Sequence, residues 1–291
     1  MCERLLSRGK GLDLLIRPLD VENLRLQFRE AKPFRFACID DFLVPEFGET
    51  VARSYFSRAD AARFCRRFRT VSERGKVQVT DYERFPPAVR RLADALAAPE
   101  FMKLVADSTG IPDLVFDTRL TGAGMQQTAC GGHLDVHIDF NLLFERLHRR
   151  LNLTLYLNPG WKTSWGGMLE LWGRDVAVRH HAIEPLFNRC VLFETTQASF
   201  HGVTAVKCPR DTTRNSFSVF YYTREPPPHW SGSFHDTIFR ARPDEHFRRV
   251  VLLPAERLRR RLLRDARAVK RKIARFFPLG KAIAARKPCS S

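Results

Sequence analysis

The sequence predicts a mainly β fold with flanking helices, an α+β chain whose second half is a β sandwich or barrel. Three observations predict it. From about Val115, short apolar runs rich in Val, Leu, Phe and Tyr (LNLTLYLN, GGMLELW, RCVLFE, SFSVFYYT) alternate with Gly, Pro, Asn and Asp, which is strand-and-turn texture. The aromatic content is dominated by 23 Phe, which suits a pleated core better than a coiled coil. Ahead of that region the apolar spacing is helical and is punctuated by prolines.

In chain order, FRFACIDDFL at 34–43 reads as a short strand running into a turn. Residues 45–68 follow with helical spacing, marked on one face by Phe47, Val51, Tyr55, Ala62 and Phe68. Two more helices are expected at 87–96, after the Pro86-Pro87 start signal, and at 99–108, stopped by Thr109-Gly110. The chain therefore divides into an N-terminal extension (1–33), one domain (34–242) and a tail (243–291). Within the domain, helical support is expected at 45–110 and the β core at about 115–224.

Charge is distributed unevenly. The formal charge is +17, yet residues 248–291 hold fifteen Lys/Arg against two acids, so the body before them is near balance. In that tail Leu258, Leu262, Ala266, Val269, Ile273 and Phe276 recur at intervals of three and four, one apolar stripe on a basic amphipathic helix spanning 255–277. Three roles fit this helix: packing on the body, lying on an anionic membrane surface, or gripping nucleic acid or a ribonucleoprotein. The seven cysteines are scattered without a CxxC, so neither a disulfide framework nor a zinc–cysteine site is indicated. No apolar h-region and no transmembrane run is present, so the expected location is cytoplasmic, including the inner face of a membrane.

The densest polar cluster is His133-Leu134-Asp135-Val136-His137-Ile138-Asp139. On a regular strand these four polar side chains share one face, and an H-x-D pair offers an imidazole and a carboxylate to a single ion. His201, in SFHGV, is the candidate third ligand. Two imidazoles and a carboxylate leave three octahedral positions open, two for a chelating 2-oxo acid and one for O2. Thirteen residues on, Arg214 is suited to a bidentate pair with a distal carboxylate. Ser216 would share its face, and Tyr156 is a candidate phenol donor to the same group.

These stretches (HIDFN, LNLTLYLNPGWKTSWGGMLELW, CVLFETTQASFHGV, TTRNSFSVFYYT and the opening FACIDDFLVPE) resemble the Fe(II)/2-oxoglutarate-dependent dioxygenases, specifically the prolyl 4-hydroxylase-like branch. The resemblance spans residues 34–224. It implies a double-stranded β-helix (jelly-roll, cupin-like) core. It also implies Fe(II) on His137, Asp139 and His201, with 2-oxoglutarate on Arg214 assisted by Tyr156 and Ser216. Further implications are O2 as co-substrate, ascorbate as a stimulant, and succinate and CO2 as by-products of hydroxylating an unactivated C–H bond. Substrates in that branch include protein prolyl residues, amino acids and other small molecules.

Alternation does not choose between the two H-x-D words. The resemblance favours His137/Asp139, because Phe140-Asn141 continues its pattern, and leaves His133 and Asp135 as groups behind the metal or in the substrate pocket. The insert 142–150 and the region 124–132 are the candidate selectivity loops, with Trp161, Trp165 and Trp172 either edging the pocket or filling the β core. Two other classes fit some of the residues. One is a zinc-type hydrolase on the same ligands, which gives Arg214 no role; the other is a non-catalytic dioxygenase-fold protein acting through its basic helix.

Overall fold

In the computed structural model, which describes residues 12, 14–144, 146–228, 230–256, 258, 259 and 262, capping side chains and prolines delimit the helices. Helix α1 (Val21–Glu30) starts at Asp20, whose carboxylate accepts from the Asn23 N–H at 3.0 Å. Helix α2 (Pro45–Arg53) has Pro in its first turn, where the missing N–H has no helical partner. Helix α3 (Arg58–Phe64) starts at Ser57, which accepts from the Asp60 N–H at 3.1 Å. Helices α4 (Pro87–Ala97) and α5 (Pro99–Thr109) again open on Pro, and α5 ends on Gly110 in the left-handed region.

The single helical stretch expected at 45–68 is thus two helices and a strand. The Ser57 cap restarts the helix after a turn at Ser54, and Cys65 is already extended. Phe68 lies on β2 (Arg66–Arg69), which forms a hairpin with β3 (Glu73–Val79) that the sequence reading did not anticipate.

The remaining strands are β1 (Phe36–Ile39), β4 (Val115–Phe116), β5 (Gly124–Ile138), β6 (Leu142–Leu143), β7 (Leu147–Tyr156), β8 (Leu169–Trp172), β9 (Arg179–Ile183), β10 (Cys190–Glu194), β11 (His201–Val203), β12 (Thr213–Thr223) and β13 (Ile238–Phe239). All pair antiparallel in one 13-stranded sheet whose main path runs β1-β10-β7-β12-β5-β11-β8-β9. The sheet curls because β5 serves two neighbours in turn. Its first half pairs with β12 and its second half with β11, while β3 runs along it from Met125 to Leu134. The change comes at Gly131-Gly132: Gly131 has φ +77°, and a Cβ on Gly132 would lie 2.8 Å from the Ala129 carbonyl and 3.0 Å from that of Arg74.

Strand alternation separates two cores. On β7, Leu151, Leu153 and Leu155 face the helices and pack in one cluster with Leu92, Leu96 and Phe101. Tyr156 turns the other way, to meet Leu169, Leu171, Val191 and Phe193 inside the curl. Burying each such Leu or Phe contributes roughly 1.5–3 kcal/mol. Leu24 and Phe28 of α1 join the helix-side cluster, so the segment 1–33, expected as an extension, puts its described helix against the body.

The chain after β12 returns along β5. β13 pairs with Ile138 and His137, and Arg240 N–H donates to the Val136 carbonyl at 2.8 Å. Arg242 then grips Glu170 through Nε (2.8 Å) and Nη2 (2.6 Å), and Arg248 Nη2 lies 2.9 Å from Asp135 Oδ2. Arg248, which the charge count groups with the tail, belongs to the body, because Asp135 is fully buried and needs a counter-charge. A π-helical turn (Arg248–Leu252) follows. Beyond it Leu253 and Glu256 are buried whereas Leu258 and Leu262 are exposed. Most of the expected helix 255–277 lies outside the described residues. Among the described residues no helix is long and apolar enough to cross a membrane.

Candidate active site

The register of β11 on β5 decides which H-x-D word faces inward. His201 is opposite His137, but Val203 is opposite Leu134, so β5 spends three residues where β11 spends two. This bulge inverts the alternation between Leu134 and His137 and sends His133 and Asp135 to the other side of the sheet. The expectation that all four polar side chains share a face is therefore corrected. The bulge sits where Gly202 packs against the Leu134 carbonyl and the Val136 backbone, with no room for a Cβ beyond 3.1–3.2 Å contacts.

His137, Asp139 and His201 converge, all buried, with one ligand atom from each lying within 4.8 Å of the others. His137 Nε2 lies 3.5 Å from Asp139 Oδ1, and His201 Nε2 lies 3.6 Å from Asp139 Oδ2. Bonds of about 2.1 Å at right angles set ligand atoms about 3.0 Å apart, so a small closure accommodates an ion. The tautomers are set from behind. His137 Nδ1 is 2.9 Å from the Asp135 carbonyl and His201 Nδ1 is 2.9 Å from that of Ser199. A carbonyl only accepts, so each Nδ1 carries the proton and each Nε2 lone pair points into the cluster.

Electrostatics favour the ligating protonation states. Burial, then the neighbouring His137, lowers the His201 pKa to about 4, so its imidazole is neutral at pH 7. Burial alone would raise Asp139, but Arg149 together with the two histidines outweighs it and holds the carboxyl well below the ordinary range. Arg149 was missed as a site residue. The hairpin β6–β7 folds it back, with its N–H on the Asn141 carbonyl at 3.0 Å and its Nη2 2.9 Å from Asp139 Oδ2. That contact is an ion pair without hydrogen-bond alignment, since both atoms lack a hydrogen-bonded partner. The available signal was the first Arg of the Arg149-Arg150 pair, seven residues before Tyr156, within the insert assigned to substrate selection.

His133 and Asp135 form a different constellation. His133 Nε2 lies 3.1 Å from Arg248 Nη2, and burial raises the Asp135 pKa against the opposing charge of Arg248. Their link to the metal cluster is the Asp135 main-chain carbonyl.

Deeper in the curl, Arg214 is buried on β12, with Nε donating to the Gly167 carbonyl at 2.6 Å. Its guanidinium carbon lies 4.9 Å from the centroid of the Tyr156 ring, and Ser216 is the cross-strand partner of Tyr156. Burial lowers the Arg214 pKa, and Tyr156 acts in the opposite direction. No carboxylate among the described residues pairs with this cation. A buried guanidinium that meets no carboxylate of the chain is suited to the far carboxylate of a dicarboxylic acid.

Residues 123–222 match the family model of the 2OG-Fe(II) oxygenase superfamily. Over this segment the chain is similar to that superfamily. The matched segment contains His137, Asp139, Arg149, Tyr156, His201, Arg214 and Ser216, and the superfamily's cofactors are Fe(II) and 2-oxoglutarate. The mouse prolyl 3-hydroxylase OGFOD1 is 36% identical over 78 residues, covering 25% of this chain and only 14% of that protein. In fold, the chain is similar to a Trichoplax adhaerens prolyl hydroxylase solved with a hypoxia inducible factor peptide (TM-score 0.51, 18% identity, 75% of this chain and 92% of that one). It is also similar to a Pseudomonas putida prolyl-4-hydroxylase (TM-score 0.52, 18% identity, 69% and 100%). The oxygenase core is thus the double-stranded β-helix expected from the sequence.

The two segments expected as selectivity loops are mostly strand. Residues 124–132 lie within β5, and 142–150 form β6 and the start of β7. The tryptophans fill core positions. Trp172 packs with Val136, Ile138 and Phe200, while Trp161 stacks edge-on against Trp165 at 5.3 Å.

Proposed function

We propose that this protein is an Fe(II)- and 2-oxoglutarate-dependent hydroxylase, with His137, Asp139 and His201 holding the metal. Arg214, with Tyr156 and Ser216, holds the distal carboxylate of 2-oxoglutarate. The observation that carries the reading is the pairing of a His/Asp/His cluster with a buried, carboxylate-free Arg214 in one curled sheet. A zinc-type hydrolase would explain the first and leave the second without a use.

When bound, Fe(II) and 2-oxoglutarate supply the oxidising power: O2 is consumed, 2-oxoglutarate becomes succinate and CO2, and a hydroxyl replaces hydrogen at an unactivated carbon. The chain's own work is positioning. The Asp135 and Ser199 carbonyls hold the two imidazoles with Nε2 inward, and the Gly167 carbonyl holds the Arg214 side chain beside the Tyr156 ring. Leu169, Leu171, Val191 and Phe193 line the interior with apolar surface, which excludes water from the reacting groups.

A prolyl residue in a polypeptide is the substrate class we favour, on the strength of the relatives' names. The test is incubation with a cell lysate under heavy-isotope O2, locating incorporated oxygen by mass spectrometry. Label on prolyl residues, dependent on 2-oxoglutarate and lost in His201→Ala, supports the reading. Label on other residues, or on small molecules alone, replaces the substrate class. Absence of any label, with no succinate formed, refutes the activity.

A further inference from the structure

The Asp139 carboxylate sits among three partners, and they do not compete equally for its two oxygens. Oδ1 lies 3.5 Å from His137 Nε2, whereas Oδ2 is 3.6 Å from His201 Nε2 and 2.9 Å from Arg149 Nη2. Arg149 has little freedom to leave. Its guanidinium carbon lies 3.5 Å from the centroid of the Phe220 ring and 4.8 Å from that of Phe140, and its side chain is 2% exposed. No other carboxylate is paired with it among the described residues. Separating it from Oδ2 would leave a buried cation without a counter-charge, a strongly unfavourable state.

That contact bears on coordination number. A carboxylate binding an ion through both oxygens takes two of six octahedral positions, and with two imidazoles it leaves two. Bound through one oxygen, it leaves three. A 2-oxo acid that chelates needs two, and an oxygenase needs one more. We propose that Arg149 is a positioning residue that holds Asp139 Oδ2 away from the metal and enforces ligation through one oxygen. It thereby sets how many coordination positions remain for the co-substrates. This rests on the function proposed above, and it assigns to β7 a role that none of the three ligands performs.

The test uses the full chain loaded with Co(II), which needs no exclusion of air. Arg149→Met keeps the length and apolar packing between the two rings but removes the charge, and Arg149→Lys keeps a charge. Four quantities are read: Co(II) affinity, the visible ligand-field spectrum, the affinity of the loaded protein for 2-oxoglutarate, and the melting temperature of the metal-free protein. Removing a cation beside a ligand carboxylate leaves Co(II) affinity equal or higher. In R149M the ligand-field spectrum changes and 2-oxoglutarate binds about tenfold more weakly or worse, because one chelating position is taken. R149K moves both readouts back toward wild type.

A purely structural Arg149 would instead lower Co(II) affinity and melting temperature together, with no selective loss of 2-oxoglutarate, and that result overturns the proposal. So does an R149M protein with the wild-type spectrum and wild-type 2-oxoglutarate affinity. A wild-type Co(II) protein that fails to bind 2-oxoglutarate overturns the functional reading and this proposal with it; the two failures are therefore told apart by the wild-type arm.

Discussion

Replacing Gly167 by Ala tests the co-substrate pocket without touching any charged group. Gly167 has φ +67°, and a Cβ there would lie 2.8 Å from Arg214 Cδ and 3.3 Å from Arg214 Nε. The left-handed backbone costs an alanine roughly 1–2 kcal/mol, which lowers stability whatever happens to Arg214. The steric effect is separate. Carbon atoms pack at about 3.5–4.0 Å, so Cδ must retreat by about 0.7 Å or more, breaking the alignment of Nε with the Gly167 carbonyl. A displaced guanidinium forfeits much of a charge-assisted bidentate pair worth roughly 1.5–3 kcal/mol, so 2-oxoglutarate affinity falls about 10- to 100-fold. The assay is calorimetric titration of 2-oxoglutarate into the Co(II)-loaded protein, with Co(II) affinity and melting temperature measured alongside. Co(II) affinity stays unchanged, because neither β5 nor β11 moves, and Arg214→Met marks the limit of the 2-oxoglutarate loss. A Gly167→Ala protein that melts lower yet binds 2-oxoglutarate as wild type would show that Arg214 does not hold the co-substrate.

Further outcomes follow from the buried charges. In metal-free protein His201 has its pKa lowered to about 4 by burial and by His137, against an ordinary 6.5. Below pH 6.5 the unfolded chain takes a proton that the folded chain refuses, so stability falls by about 3 kcal/mol between pH 7 and pH 4. Urea unfolding of chelator-treated protein at several pH values measures this, and His201→Gln flattens that segment of the curve. Arg242→Ala leaves Glu170, 1% exposed, with Arg179 but without the two hydrogen bonds from Arg242, and costs about 1–3 kcal/mol in the same assay. Truncation after Arg259, which spares Arg242, Arg248, Leu253 and Glu256, leaves melting temperature and 2-oxoglutarate affinity near wild type; a large loss in either would tie the tail to the body.

How much was legible in the sequence depended on whether a feature is local. The short strands after Val115 and the helices opened by Pro87 and Pro99 follow from alternation and proline geometry, which need no tertiary information. The order His201…Arg214-x-Ser216 was readable along the chain, and the structure brings His201 together with His137 and Asp139. The choice between His133/Asp135 and His137/Asp139 was not readable from alternation, because it turns on one extra residue in β5 opposite β11, and a bulge leaves no mark on the polar pattern. The pairing of β2 with β3 was hidden because Phe68 continues the helical spacing of Phe47, Val51, Tyr55 and Ala62. Arg149 looked like one of several cations in a candidate selectivity insert, and the return of the β6–β7 hairpin carries it to Asp139. Arg248 looked like the first residue of a basic tail, and only the burial of Asp135 shows why it is held.

The central claim, that the His/Asp/His cluster and Arg214 form one site for metal and 2-oxoglutarate, is tested most directly by anaerobic titration. Fe(II) and 2-oxoglutarate are added to the metal-free protein while the weak visible charge-transfer band of the chelate is followed. The account predicts a saturable band in wild type, absent in His201→Ala and shifted to much higher 2-oxoglutarate concentration in Arg214→Met. Fe(II)-loaded wild-type protein that develops no band, or a band unaffected by Arg214→Met, would contradict it.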